Sequence, residues 1–287
     1  MNFIKQILEV QETKLDLIAM LQERLTKTEE PRPFSDLRAS MLTGEVEFCP
    51  REVALADITG ASPKPKYIPA ALRATFDVGL ATEQTVVEKW LYDVAVGHWE
   101  CMRCGFTTDF TKRPMKCVAC GGPRFFYRQV GFRGVHDIGG SVDLIVDFNV
   151  GKHMAIELKI IAPDMFADLK APLAEHRVRT NLYLHLIRTS TSPVKERMNL
   201  DRAKILYISR GHGKKHGTKG VVLPFLEFDV KYEPQSLKPY LEKAQAVKIY
   251  RDTKKIPKGV CATSFVGRVK SCCVVKSCWS GKYPPMQ

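Results

Sequence analysis

Apolar residues recur at helical spacing over residues 2 to 26, at Phe3, Ile4, Ile7, Leu8, Leu15, Leu17, Ile18 and Leu21, and a polar stretch, KTEEPRP, follows. This pattern predicts an amino-terminal helix and linker over 1–30, able to cap the rest of the chain or to bind a protein partner. A second apolar stripe (Leu72, Phe76, Leu80, Val87, Trp90, Leu91, Val94) predicts a helix from about Pro69 to Val96, since proline suits a first helical turn. Two strands follow, SVDLIVDFN and HMAIELKII, separated by a turn at Gly151. Further along, the spacing predicts a helix over Leu173–Ile187, strands at AKILYIS and around VVLPFLEFDV, and a helix over Pro239–Tyr250. There is no internal repeat or low-complexity tract.

The two central strands break their alternation with charge. In the first, Val142, Leu144, Val146 and Phe148 share one face while Asp143, Ile145 and Asp147 share the other. In the second, Met154, Ile156, Leu158 and Ile160 alternate with Ala155, Glu157, Lys159 and Ile161. A hairpin centred on Val150 puts Asp143 opposite Glu157, with Lys159 on the same face. Two facing carboxylates in an apolar hairpin repel each other and are costly to desolvate, so a cation between them is expected. A hard ion, Mg²⁺ or Mn²⁺, suits oxygen ligands, and a neighbouring lysine suits developing negative charge. The plain alternative is an edge strand with Glu157 and Lys159 in solvent.

Length and composition narrow the setting. The chain has 287 residues, 45% of them hydrophobic, so a substantial core can form without disulfides. No apolar run is long enough to span a bilayer, and the charged amino terminus does not read as a secretory signal; a soluble cytoplasmic protein with no membrane partner is expected. Nine cysteines in a reducing compartment suggest metal ligation. The net charge of +13 is local: residues 101–128 hold six basic residues against Asp109, and residues 251–287 hold eight against Asp252, so twelve of the thirteen excess charges lie there. Such a surface is either solvated or attractive to a phosphate backbone.

Cys101-x2-Cys104 and Cys117-x2-Cys120, twelve residues apart, have zinc-ribbon spacing, with Gly105, Gly121 and Gly122 supplying turns. Four thiolates on Zn²⁺ leave no open position, so a structural insertion over 99–128 is expected; a pair of redox CxxC motifs is the alternative. The remaining cysteines, Cys49, Cys261, Cys272, Cys273 and Cys278, are scattered.

Asp143 in GGSVDLIVDF and the Glu157-Leu158-Lys159 triplet in AIELKI resemble the PD-(D/E)xK nuclease superfamily, and Gly79 and Glu83 in FDVGLATEQTVVEKWL resemble the upstream helix of its RecB-like branch. In EHRVRTNLYLH, Tyr183 matches that branch, while Arg179 stands where its glutamine would be. Cys49 ahead of the core and Cys261, Cys272 and Cys278 behind it resemble the CRISPR-associated exonucleases that carry an iron–sulfur cluster. The resemblance covers roughly residues 45 to 280. It implies an α/β fold with a mixed central sheet flanked by helices, a nuclease domain over 31–287, and a cysteine segment over 256–287 that packs back on Cys49.

The implied ligands of Mg²⁺ or Mn²⁺ are Glu83, Asp143, Glu157 and the Leu158 carbonyl, with Lys159 assisting catalysis and Glu88 competing with Glu83. The implied [4Fe–4S] ligands are Cys49, Cys261, Cys272 and Cys278, with zinc or free thiols as alternatives and Cys273 able to exchange with Cys272. His176, Arg179 and Tyr183 share a helical face suited to a DNA strand, although Tyr183 also fits a core aromatic. The implied activity is a metal-dependent deoxyribonuclease, more an exonuclease than an endonuclease, acting on single strands or ends in recombination, repair or replication. Its implied location is the nucleoid, and a phage or mobile element is a natural carrier. A non-catalytic DNA-binding scaffold and a partner-binding protein stapled by metals are the rival readings.

Overall fold

The computed structural model describes residues 17–29, 33–63, 66–211, 225–264 and 267–283. Of the amino-terminal helix it describes α1 (Leu17–Leu25), whose Leu17, Ile18 and Leu21 are exposed; residues 1–16 lie outside the described residues. The polar stretch expected to be linker contains a short strand, β1 (Lys27–Glu29). Next come α2 (Ala39–Leu42), α3 (Pro50–Thr59) and β2 (Lys66–Ile68), which pairs antiparallel with β1.

The helix expected to reach Val96 is shorter. Helix α4 (Ala70–Thr85) passes into one π-helical turn (Val86–Trp90), closed by the Leu91 N–H to the Val86 carbonyl at 2.9 Å. The extra residue of that turn shifts the face presented inward, burying Val86 and Val87. Val96 instead opens β3 (Val96–Cys101), which forms a small antiparallel sheet with β4 (Thr111–Lys112) and β5 (Phe125–Arg128).

Strand β6 (Val130–Arg133) pairs with β7 (Gly139–Val142), and the chain then bends at Asp143 before β8 (Leu144–Val146). The expected single strand is therefore broken, and the break reverses the facing: Val142 packs with Ile145, whereas Leu144 and Val146 face the other core. β8 pairs antiparallel with β9 (His153–Ile161), Leu144 opposite Ile156 and Val146 opposite Met154. The expected register holds. Its turn is set by Asn149 at φ 58° and Gly151 at φ 73°, with Asp147 Oδ1 accepting the Asn149 N–H at 2.8 Å.

Helices α5 (Pro163–Asp168) and α6 (Ala174–Thr189) make the crossover to β10 (Met198–Ser209), which runs parallel to β9; β11 (Phe225–Lys231) then pairs antiparallel with β10. The main sheet thus has the order β11-β10-β9-β8 and is mixed. Residues 212–224, which include the start of the expected strand around Val221, lie outside the described residues. Helix α7 (Pro234–Thr253) starts five residues before the expected Pro239, because Pro234 occupies the first turn and Pro239 is accommodated inside. A short α8 (Val275–Cys278) follows.

The result is a mixed α/β fold. One buried cluster joins Ile145 and Ala155 to Leu182, Leu186 and Leu237 on α6 and α7. A second, on the other face of the hairpin, joins Leu144, Ile156 and Leu158 to Val86, Trp99 and Cys101. No helix among the described residues is long and apolar enough to cross a membrane.

Gly97 marks where the small sheet meets the main one. A Cβ there would lie 2.5 Å from the Tyr127 ring, whose hydroxyl donates to the Val96 carbonyl at 3.1 Å and accepts the Ile145 N–H at 3.3 Å. Gly97→Ala is expected to push that ring off both partners and to lower stability by about 1–3 kcal/mol. A thermal melt would check this, and an unchanged midpoint would refute the packing account.

Candidate active site

The bend at Asp143 turns a carboxylate out of the strand ladder and onto β9. Asp143 Oδ2 accepts the backbone N–H of Leu158 at 2.9 Å. Next along β9, Glu157 is buried, with Oε1 2.5 Å from Lys159 Nζ and Oε2 without any hydrogen-bond partner. The same ammonium donates to the Leu158 carbonyl at 3.1 Å and lies 3.9 Å from Asp143 Oδ2. Alternation along one strand has placed Glu157 and Lys159 on a common side.

The third carboxylate comes from α4. Gln129, immediately after β5, donates from Nε2 to Glu83 Oε1 at 2.8 Å and to Asp143 Oδ1 at 3.2 Å, so one amide ties the helix to the hairpin. Burial, reinforced by Asp143, pushes Glu83 up to about 7. Burial and Asp143 likewise push Glu157 up to about 8, with Lys159 and Arg179 pulling the other way. Both shifts have one origin: acidic groups crowded in a poorly solvated place with too little positive charge.

The face of α6 borders this cluster. Arg179 donates from Nε to Thr43 Oγ1 at 3.2 Å. The Tyr207 hydroxyl accepts the Leu173 N–H at 3.0 Å, leaving its own hydrogen for His176 Nδ1 at 2.9 Å. Burial, then Lys159 and Arg179, hold His176 down at about 4, so it is neutral near pH 7. Tyr183 is half-buried and raised by burial and by Glu157. Gly140 sits beneath it, since a Cβ there would come within 2.9 Å of the ring. His176, Arg179 and Tyr183 are thus brought to the carboxylates as a partly buried wall rather than an open track.

Both cysteine sets converge. Cys101, Cys104, Cys117 and Cys120 place their sulfurs within 4.8 Å of one another, Cys101 to Cys120 at 3.6 Å and Cys104 to Cys117 at 3.7 Å. This four-thiol group can hold a metal. Burial opposes ionisation of Cys101, but the N–H groups of Arg103 and Cys104 and the neighbouring thiols bring it down to about 7. Cys49, Cys261, Cys272 and Cys278 line a second cavity together with Glu52 and Arg268. Among the described residues, only the first set brings its sulfurs within 4.8 Å of one another. Cys273 is outside the lining, its N–H taken by Glu52 Oε1 at 3.0 Å.

No protein-family model and no curated protein matches the chain. A solved structure described as the crystal structure of SSO0001 is similar over 91% of each chain, with 17% identity and a TM-score of 0.34. That score is too low to assign a fold or an activity.

Glu88, the competitor of Glu83, accepts the Tyr127 N–H at 3.1 Å and so caps the edge of β5. Gly79 has open space where a Cβ would go, so packing does not require glycine there. Sequence reasoning missed Gln129, because nothing in the pattern around a lone exposed glutamine links it to Glu83 or Asp143. If Glu83 and Asp143 ligate a divalent cation, Gln129→Leu is expected to weaken its binding about 10- to 100-fold, as loss of a group that orients a ligand does. Calorimetric titration with Mn²⁺ would check it, and unchanged affinity would leave Gln129 no positioning role.

Proposed function

We propose that this protein is a Mg²⁺- or Mn²⁺-dependent nuclease acting on DNA strands or ends, with Glu83, Asp143, Glu157 and Lys159 as its centre. The observation that carries the reading is the convergence of three carboxylates around one ammonium with the buried Glu157 Oε2 unpartnered. An unpartnered buried carboxylate oxygen is costly, and a hard cation is the partner that relieves both its desolvation and the repulsion from Asp143. Glu83, Asp143, Glu157 and the Leu158 carbonyl would hold that ion. When bound, it polarises a phosphoryl oxygen and lowers the pKa of its water.

The chain's own groups do the rest. Lys159 presents positive charge to a non-bridging phosphate oxygen as negative charge builds there. Gln129 keeps Glu83 and Asp143 aimed at a common point. Arg179, fixed by Thr43, adds positive charge at the rim. Neutral His176 and the half-buried Tyr183 narrow the access and offer rings against which a base can stack.

The two cysteine sets fit different groups. A tetrahedral ion with bonds of 2.3 Å spaces its sulfurs roughly 3.8 Å apart, close to the pairs in the first set, so we assign it Zn²⁺. The second set lines one cavity, and its order along the chain resembles that of the iron–sulfur exonucleases. Cys49, Cys261, Cys272 and Cys278 are in this reading the ligands of a [4Fe–4S] cluster, with Cys273 uninvolved.

Anaerobic purification with iron, sulfide and zinc analysis, followed by digestion of single- and double-stranded DNA labelled at either end, tests all three assignments. Cleavage that needs a divalent cation is expected. Binding without cleavage under every divalent ion tried would instead make this a DNA-binding scaffold, and no binding would remove nucleic acid from the account.

A further inference from the structure

The six basic residues of the four-thiol module are not equivalent in the structure. Arg128 is paired with Glu100 at 2.5 Å, and Lys112 with Asp147 at 3.0 Å. Arg103, Arg113, Lys116 and Arg124 have no carboxylate partner among the described residues.

These four gather around one loop. The Cβ position of Gly122 lies 3.4 Å from Arg103 Cβ, and Arg113 Nη2 donates to the Pro123 carbonyl at 3.3 Å. The Arg124 carbonyl accepts the Met102 N–H at 3.0 Å, and the Gly122 carbonyl accepts the N–H of Cys117, the residue after Lys116, at 2.8 Å. Arg113 also lies over the Tyr92 ring, 5.5 Å from its centroid. Four like charges around residues 121–124 repel one another. A divalent ion on four thiolates leaves two negative charges, which offset half of the four and no more. The remainder holds mobile counterions, which a polyanion bound there would release.

We infer that this loop is a phosphate track: Arg103, Arg113, Lys116 and Arg124 bind the backbone of a single nucleic-acid strand whose scissile phosphate lies at the carboxylate centre. The inference rests on the nuclease reading for the identity of the polyanion. The connection to the centre is direct, because β5 (Phe125–Arg128) joins Arg124, just before it, to Gln129, just after it, the residue that bridges Glu83 and Asp143. Five extended residues span roughly 17 Å, so the track engages phosphates a few nucleotides from the bond that is cut. Exposed Val118 and Met115 flank Lys116 and offer apolar surface to unstacked bases.

The test is the salt dependence of binding by the full chain. A labelled single-stranded oligonucleotide is titrated without divalent ions, for wild type and for the triple variant Arg103→Gln, Lys116→Gln, Arg124→Gln. Zinc content and melting temperature report whether the module stays folded. Loss of three phosphate contacts is expected to make the slope of log affinity against log salt shallower by about 2. An unchanged slope in a folded, zinc-loaded variant overturns the track. The same slope with charge loss at the distant Lys238→Gln is expected, and an equal effect there would also overturn it by making the term non-local. Cleavage by wild type with no slope change rejects the track alone; a slope change in a protein that cuts nothing supports the track and rejects the nuclease reading.

Discussion

Lys159→Ala is expected to reduce divalent-dependent cleavage by at least about 10²- to 10³-fold while leaving DNA binding nearly intact. Its ammonium touches Glu157, the Leu158 carbonyl and, at 3.9 Å, Asp143, and in the proposed nuclease it would meet the negative charge that develops on the phosphate. The phosphate track lies elsewhere, hence the separation of binding from cutting. The same change alters metal-free stability. Burial and Asp143 push Glu157 up to about 8, above the ordinary carboxylate value of 4.5, so between those pH values the folded state favours a proton that the unfolded chain loses. Its stability contribution is complete below about 4.5 and is lost as pH rises through about 8. Removing Lys159 takes away a cation that favours the Glu157 carboxylate and so raises its folded pKa further, so the variant's melting temperature should go on falling to higher pH than in wild type, and Mg²⁺ should recover part of the loss. End-labelled oligonucleotide digestion and melts from pH 5 to 8.5 give both readouts, and full cleavage by the variant removes Lys159 from the chemistry.

The parts of this site that could be read in the chain are those fixed by local rules. Alternation alone put Glu157 with Lys159, and the turn at Asn149 and Gly151 then set Asp143 opposite. CxxC spacing alone grouped Cys101, Cys104, Cys117 and Cys120. What escaped was decided at a distance. β1 is polar and is a strand because Lys66–Ile68 lies beside it. The apolar stripe ran through Trp90 without a break, yet the helix proper stops at Thr85, where one π turn re-aims Val86 and Val87 at the Trp99 cluster. Asp143 read as a residue within a strand and is the bend between two, which is why its carboxylate reaches the Leu158 N–H. The scattered cysteines form the intermediate case. Only their resemblance to a known layout suggested a common site, and spacing could not choose between Cys272 and Cys273; in the fold Cys272 lines the cavity with Cys49, Cys261 and Cys278, and Cys273 does not.

The other large effect concerns those cysteines. Cys49→Ser is expected to abolish iron binding and to release residues 256–283 to proteolysis while the main sheet stays folded. Cys49 precedes the first turn of α3, whereas its three partners lie more than two hundred residues later in a segment with little regular structure. That segment shares only a small buried cluster with α3, formed by Leu55, Ala56, Cys272 and Val274, apart from the larger core between the main sheet and α6. Its polar anchors to α3 and the residues before it include Arg51 to Cys278 Sγ at 3.3 Å and to the Pro257 carbonyl at 3.3 Å, the Cys273 N–H to Glu52 Oε1 at 3.0 Å, and Arg268 to Glu52 Oε2 at 2.5 Å and to the Glu47 carbonyl at 2.6 Å. With so little apolar burial, ligation in the proposed cluster would supply most of the free energy that holds the segment in place. Losing it should therefore unfold that part alone, since the central core does not depend on it. Trypsin digestion followed by mass analysis would locate new cuts at Lys258, Lys270 or Lys276, and circular dichroism would follow the rest. A Cys49→Ser protein that keeps its iron and resists trypsin would show that the four thiols act neither as ligands nor as the clasp between the two ends of the fold.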